Sequence, residues 1–362
     1  MPWKVRAAVA EAINAPLTIT EVDLADPGPD EVAIKIIATG LCHSDLHALE
    51  GNSSASFPLI LGHEGIGDIV AIGSNVTGFA VGDRVIPYLV PDCGKCPYCQ
   101  SGRTNLCVQL YARMGGASPF SRDGKPISAF MGLGTFAEMT VVPADMVVKV
   151  SAEARPDHAC CIGCGVTTGI GAATISADVA PGSSVAVLGA GGVGLSVVAG
   201  CRLAGATRII AIDRNPLKRE VALEQGATDF IDASSVDDLP GAIRALAPSG
   251  VDFAFECVGA PALFQLAIDC SNPAWGTIVT LGIFPTGTNL SASPVSMMMG
   301  RRWIGTFMGG AKRRDVARFV DQYVAGEFSL DRLVSHRLPH AQINEGFAMM
   351  KDGTSVRSVV VY

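Results

Sequence analysis

Residues 184–203, SVAVLGAGGVGLSVVAGCRL, run from a short apolar strand straight into Gly189, Ala190, Gly191, Gly192, Val193 and Gly194, then on into an apolar helix. A bare GxGxxG is weak, because glycine-rich turns are common. Its context gives it weight: a strand before, a helix after, and a second strand, RIIAID, that ends on Asp213, 19 residues beyond Gly194. Glycines there let a backbone approach a pyrophosphate, and a helix N-terminus offers unpaired N–H groups with a partial positive charge. A carboxylate at Asp213 accepts hydrogen bonds from the ribose hydroxyls of NAD and repels the extra phosphate of NADP, so NAD is the expected cofactor.

Outward from that stretch the texture holds on one side and changes on the other. PLKREVALEQGA, VDFAFECVG and GTIVTLGIF continue an alternation of helix and buried strand, which predicts an α/β, doubly wound parallel sheet over 165–308. Residues 1–164 read as mainly β. In EVAIKII, Val32, Ile34 and Ile36 fall on one face and Ala33 and Lys35 on the other, and IGDIVAIG, DRVIPYLV and AEMTVVPADMVVKV are further short runs, with few helix-length patterns between them. After GRRWIGTF, a helix in RRDVARFVDQYVAGE and a strand in VRSVVVY are expected to return residues 309–362 to the first domain.

A chain of 362 residues, 49% hydrophobic, has room for two cores. Its net charge of −7 argues against nucleic acid or an anionic membrane as partner, since both are bound through basic surface. No apolar run is long enough to span a bilayer, and the N-terminus lacks a signal-peptide pattern, so a cytoplasmic protein is expected. Eleven cysteines then point to reduced thiols and metal chemistry.

Four of those cysteines are packed into CGKCPYCQSGRTNLC: Cys93, Cys96, Cys99 and Cys107, with gaps of two, two and seven residues. The last gap is wrong for a bacterial ferredoxin cluster. Four thiolates in one compact loop at about 92–108 suit a closed, tetrahedral structural zinc. Other candidates are scattered: Cys42, His43, Ser44, Asp45 and His47 in GLCHSDLH, His63 and Glu64 in LGHEG, and Cys164 in IGCGVTTG. Singly, each is more often a core residue than a ligand. A nicotinamide enzyme, however, needs something to hold and ionise its substrate, and three ligands with one open position is how catalytic zinc is held.

GLCHSDLH, LGHEGIG, VGDRVIP, the four-cysteine lobe, GCGVTTGIGAA, GAGGVGLSVVAG, RIIAIDRN and SVRSVVVY, in that order over nearly the whole chain, resemble the zinc-dependent medium-chain alcohol dehydrogenases. The resemblance implies a GroES-like catalytic domain beside a Rossmann coenzyme domain. It implies two zinc ions per chain, the catalytic one on Cys42, His63 and Cys164 with Glu64 just behind it and Asp45 orienting the histidine. Ser44 and His47 would form a proton relay, and alkoxide formation at zinc would precede hydride transfer to NAD. Asp213 and Lys218 would bind the adenosine ribose, His43 and Arg357 would face the pyrophosphate, and Thr168 would lie beside the nicotinamide. At His43 many relatives carry Arg.

Leu89, Phe136, Ile283 and Phe307 would line the substrate pocket; all are apolar, which suits medium-chain, terpenoid or aromatic primary alcohols and their aldehydes. The nearest alternative within the family is the glutathione-dependent formaldehyde (S-(hydroxymethyl)glutathione) dehydrogenase. Those enzymes keep an Arg four residues after the last lobe cysteine, where this chain has Tyr111, with Arg113 near but not aligned. A non-catalytic nucleotide-binding relative is the alternative from another class, and it would be expected to lose zinc ligands. GRRWIGTF resembles the family's dimer-forming edge strand, so a homodimer is expected, with a tetramer as the variant arrangement.

Overall fold

Strand Ser184–Leu188 lies inside a six-stranded sheet in which every pairing is parallel, ordered Asp229–Asp232, Arg208–Asp213, Ser184–Leu188, Phe253–Glu256, Thr277–Thr280, Arg302–Gly305. Val185, Ala186, Val187 and Leu188 are all wholly buried. A parallel strand covered on both faces needs no polar alternation, which is why this run is continuously apolar. The strand order reverses direction between Ser184–Leu188 and Phe253–Glu256, as in doubly wound dinucleotide folds.

Two glycines make the junction to helix Gly192–Leu203. Gly189 holds φ at +99°, a conformation that side chains resist, and a Cβ on Gly194 would sit 1.8 Å from the carbonyl oxygen of Gly189. Strand and helix approach this closely only because both positions are bare.

The computed structural model describes residues 2–362. The chain folds as two units: everything up to Cys164 packs together with Lys312–Tyr362, and Gly165–Ala311 forms the other. The first unit is built on a closed barrel, Trp3–Ala10, Thr18–Leu24, Phe120–Arg122, Lys125–Ala129 and Leu59–Ile60. Beside it is a seven-stranded sheet ordered Val147–Lys149, Arg84–Pro87, Glu64–Ile72, Glu31–Gly40, Ser358–Val361, His336–Pro339, with Met139–Pro143 paired to Glu31–Gly40. The closing strand Ser358–Val361 runs antiparallel to Glu31–Gly40.

Strand Glu31–Gly40 departs from the expected one-sided pattern. Val32, Ala33 and Ile34 are all buried, and Ala33 belongs to the barrel-side core, because the strand has neighbours along both edges and packing on both faces. No single helix among the described residues is long and apolar enough to cross a membrane.

Candidate catalytic and metal sites

The four lobe cysteines converge. Cys96 caps the short helix Pro97–Gln100, which brings Cys99 back over it, and the turn Thr104–Leu106 delivers Cys107. All four sulfurs lie within 4.8 Å of one another, with Cys93 to Cys99 at 3.9 Å and Cys96 to Cys107 at 4.0 Å. Those separations are far too long for disulfides and close to the ~3.8 Å edge of a tetrahedron with zinc–sulfur bonds of about 2.3 Å. The backbone N–H of Cys99 also holds the Cys96 thiol down to about 6, so the loop favours a thiolate there.

The scattered candidates meet in the first unit. Cys42, His63, Glu64 and Cys164 place their ligand atoms within 4.8 Å of one another. Cys42 ends an extended stretch and begins helix His43–Leu49, and Asp45 in its first turn accepts the Cys42 N–H at 3.1 Å. The same buried carboxylate accepts the Gly62 N–H at 2.9 Å and pairs with Nδ1 of His63 at 3.1 Å. With Nδ1 turned to Asp45, the other ring nitrogen, Nε2, is directed away; it is buried and has no hydrogen-bond partner, which leaves it to a proton or a metal ion.

The charges in this cluster are divided unevenly, with the Cys164 thiol pushed well above its ordinary value by its hydrogen bond with Cys42 and by burial. The hydrogen bond to Cys164 holds the Cys42 thiol well below its ordinary value against the effect of burial, and His63 adds to it. Burial disfavours a charge on His63, yet Asp45 and Cys42 outweigh it and raise its pKa well above 6.5. Burial pushes the Glu64 carboxyl up to about 8, opposed by Arg357. Two thiols and an imidazole whose buried Nε2 has no protein partner are the donors of a catalytic zinc site, and the residues present fit the ion.

Ser44 and His47 are three residues apart on helix His43–Leu49 and so share a face, next to Cys42; the Cys42 thiol and the Ser44 oxygen are 3.7 Å apart. His43 is exposed at the start of that helix. Arg357, expected at a pyrophosphate, is buried, donates to the Leu41 carbonyl oxygen at 2.9 Å and lies 3.4 Å from Glu64. Phe136, expected on a substrate wall, is wholly inside the barrel core, edge-on to Phe347 and packed over Gly62. The aromatic ring beside His63 is Phe130, edge-on at 5.7 Å between centroids. Sequence reasoning passed over it; the sign was MGLG just after it, where Met131 takes φ +53° and turns the chain. Leu89 is buried in the same unit.

In the second unit Asp213 is held by three donors: the Ala190 N–H of the glycine loop at 2.8 Å, the Asn215 N–H at 2.9 Å and Lys218 Nζ at 3.0 Å. A Cβ at Gly191 would meet nothing within 4 Å, so the loop is open on that side. Thr168, on helix Gly165–Gly171, donates to the Met308 sulfur at 3.6 Å. Ile283 and Phe307 are 59% and 39% exposed.

Comparison with known proteins finds two family domains along the chain. Residues 28–152 match the alcohol dehydrogenase GroES-like domain, and residues 192–324 match the zinc-binding dehydrogenase domain. An S-(hydroxymethyl)glutathione dehydrogenase of Synechocystis sp. is 44% identical over 99% of this chain and 100% of its own. Among solved structures, an alcohol dehydrogenase zinc-binding domain protein from Burkholderia ambifaria superposes with a TM-score of 0.95 at 34% identity, covering 100% of this chain and 99% of its own. The benzyl alcohol dehydrogenase of Acinetobacter calcoaceticus does so at 0.92 with 30% identity and 99% coverage of each chain.

Proposed function

Because the chain belongs to the zinc-dependent medium-chain dehydrogenase/reductase superfamily, we propose that it oxidises a primary alcohol reversibly with NAD, and that S-(hydroxymethyl)glutathione, the adduct of formaldehyde and glutathione, is its leading substrate. The observation that carries the reaction class is the buried cluster of Cys42, His63 and Cys164 beside the helix that bears Ser44 and His47. A zinc ion there would supply the Lewis acidity that lets an alcohol ionise near neutral pH, and NAD would supply the hydride acceptor. A second zinc on Cys93, Cys96, Cys99 and Cys107 would hold the lobe together.

The protein's own groups divide the remaining work. Asp45 keeps the Nδ1 proton of His63 in place and so presents Nε2 as a ligand. The Ser44 hydroxyl would accept the alcohol's proton as it gives up its own toward the cofactor ribose, and the His47 ring, one helical turn further along, would release a proton to solvent. Phe130 shields His63 from water. The glycine loop and Asp213 with Lys218 receive the dinucleotide and favour NAD over its phosphorylated form. All three cluster ligands and both relay residues are present, which argues against a non-catalytic relative.

The named relative supports the glutathione adduct over the free alcohols that the sequence had suggested. One observation favours free alcohols as a second reading. Tyr111, 83% exposed, stands where the glutathione enzymes carry Arg, and Arg113 is tied to Asp145 at 2.9 Å. NADH production from formaldehyde plus glutathione, set against benzyl alcohol, geraniol and hexanol, separates the two. A kcat/KM at least tenfold higher for the adduct supports the first reading; turnover of the free alcohols alone replaces it with the second. We place the enzyme in the cytoplasm, where its eleven unpaired cysteines stay reduced, and infer a homodimer joined through edge strand Arg302–Gly305.

A further inference from the structure

The glycine loop rests against a turn organised by a carboxyl group that the chemistry above does not use. Glu256 ends strand Phe253–Glu256, beside Leu188 of the strand that feeds the loop and Thr280 of the strand after it. This is the point where the strand order reverses, and sheets of this kind bind ligands outside the carboxyl ends of their strands at such a point.

The Glu256 side chain is wholly buried. Its Oε1 accepts three successive backbone N–H groups, from Val258 at 3.0 Å, Gly259 at 2.8 Å and Ala260 at 3.3 Å, the residues that lead into helix Pro261–Cys270. Its main-chain oxygen accepts the N–H of Leu281 at 2.9 Å and of Gly282 at 3.1 Å, which ties in the turn after the neighbouring strand. Oε2 is buried without a hydrogen-bond partner. An unsatisfied carboxyl oxygen in a core is costly, and an apolar side chain would fill the space without that cost. What an apolar side chain would not do is gather three amides onto one atom.

One of those amides belongs to a residue that touches the dinucleotide loop. The Val258 Cγ2 methyl lies 2.4 Å from where a Cβ on Gly189 would be, so it packs directly on the bare Gly189 backbone. Gly259 holds φ +90° and lies against the Ile283 backbone, its missing Cβ 2.2 Å from the Ile283 oxygen. We infer that Glu256 is a positioning residue for the dinucleotide: it fixes the Val258–Ala260 turn, and through Val258 it fixes the glycine loop. The inference rests on the reading of that loop as an NAD site.

Binding of NADH, followed by the change in its fluorescence on titration with the intact zinc-loaded protein, tests both ideas separately. Wild-type protein that binds no NADH overturns the NAD reading and this inference together. If wild type binds, Glu256→Ala is expected to weaken binding about tenfold and to raise KM for NAD by a similar factor. Turnover at saturating NAD and zinc content would be unchanged, a split that general damage to the fold would not produce. Glu256→Gln keeps an oxygen for the three amides and is expected to restore binding to within about twofold.

A folded Glu256→Ala protein with wild-type affinity overturns the inference while leaving the NAD reading intact. Glu256→Gln binding as weakly as Glu256→Ala also overturns it. If Glu256→Ala does not fold, Val258→Ala decides. That residue is 52% exposed and leaves the buried carboxyl untouched, so unchanged NADH affinity there refutes the link to Gly189, and a loss of about threefold or more upholds it.

Discussion

Asp45 shows how much one side chain decides at the residue scale. It satisfies two backbone N–H groups and His63 Nδ1, so the helix start, the loop before His63 and the imidazole orientation share a single carboxylate. Asp45→Asn is expected to lower zinc affinity at the cluster by about 10- to 100-fold, read as loss of one of two zinc ions per chain on dialysis against a chelator. Retention of both ions would remove Asp45 from the site. Ser44→Ala leaves the ligands alone, and the relay assigns it a fall in turnover of about 100-fold at unchanged zinc content. Turnover within twofold of wild type would leave the relay without support. The ligand residues were legible because Cys, His and Asp are chemically marked. Phe130 was not, since nothing in its type separates it from Phe136; a turn through positive φ at Met131 decides which ring lies beside His63.

Elements were legible where burial imposes a period and illegible where polar ties hold them. Ser184–Leu188 and its parallel neighbours read directly from apolar runs, whereas helix His43–Leu49, seven residues long and polar along one side, has no such pattern and depends on the Asp45 cap. At the glycine junction, Gly194→Ala would drive a methyl into the Gly189 oxygen and part helix from strand, a cost of about 2–4 kcal/mol measurable by urea unfolding. A second polar tie joins helix Pro156–Ala159, helix Arg313–Val324 and strand His336–Pro339. Buried His158 meets Tyr323 OH at 2.9 Å and Arg337 at 2.5 Å, with Asp157, Arg155 and Asp331 around it. Burial lowers its pKa below 6.5. The unfolded chain therefore takes up this proton first, and stability falls as pH drops through 6.5. Burial would raise the Asp157 pKa, but hydrogen bonds from Arg337 and Arg155 lower it, so its contribution is lost only as pH falls below 3.8. His158→Gln should flatten the decline in Tm between about pH 7 and pH 5 and leave the steeper loss at lower pH. An unchanged Tm profile would show that this histidine does not titrate with folding.

At the scale of the whole molecule, what the sequence leaves open is how the sheet ends. SMMMG reads equally as core or as interface, because composition does not say which way three methionines face. The structure exposes Met298 by 83% and Met299 by 65%, at the end of the short helix Pro294–Met298 that precedes Arg302–Gly305 in the chain, and that strand terminates the parallel sheet. An edge strand carries unpaired backbone groups, and exposed apolar side chains add the hydrophobic drive that backbone pairing alone lacks. Two such edges meeting antiparallel across a twofold axis would satisfy both at once, with the same surface used on each chain. Light scattering after gel filtration should therefore give twice the 37.4 kDa chain mass. Replacing Met298 and Met299 together by Glu puts like charges face to face across that axis and should return the mass to one chain, with Tm at low protein concentration little changed, since neither side chain is in the core. A wild-type protein that runs at the mass of a single chain would mean that the edge is blocked by something other than a second copy, and a double variant that stays dimeric would move the contact to another surface.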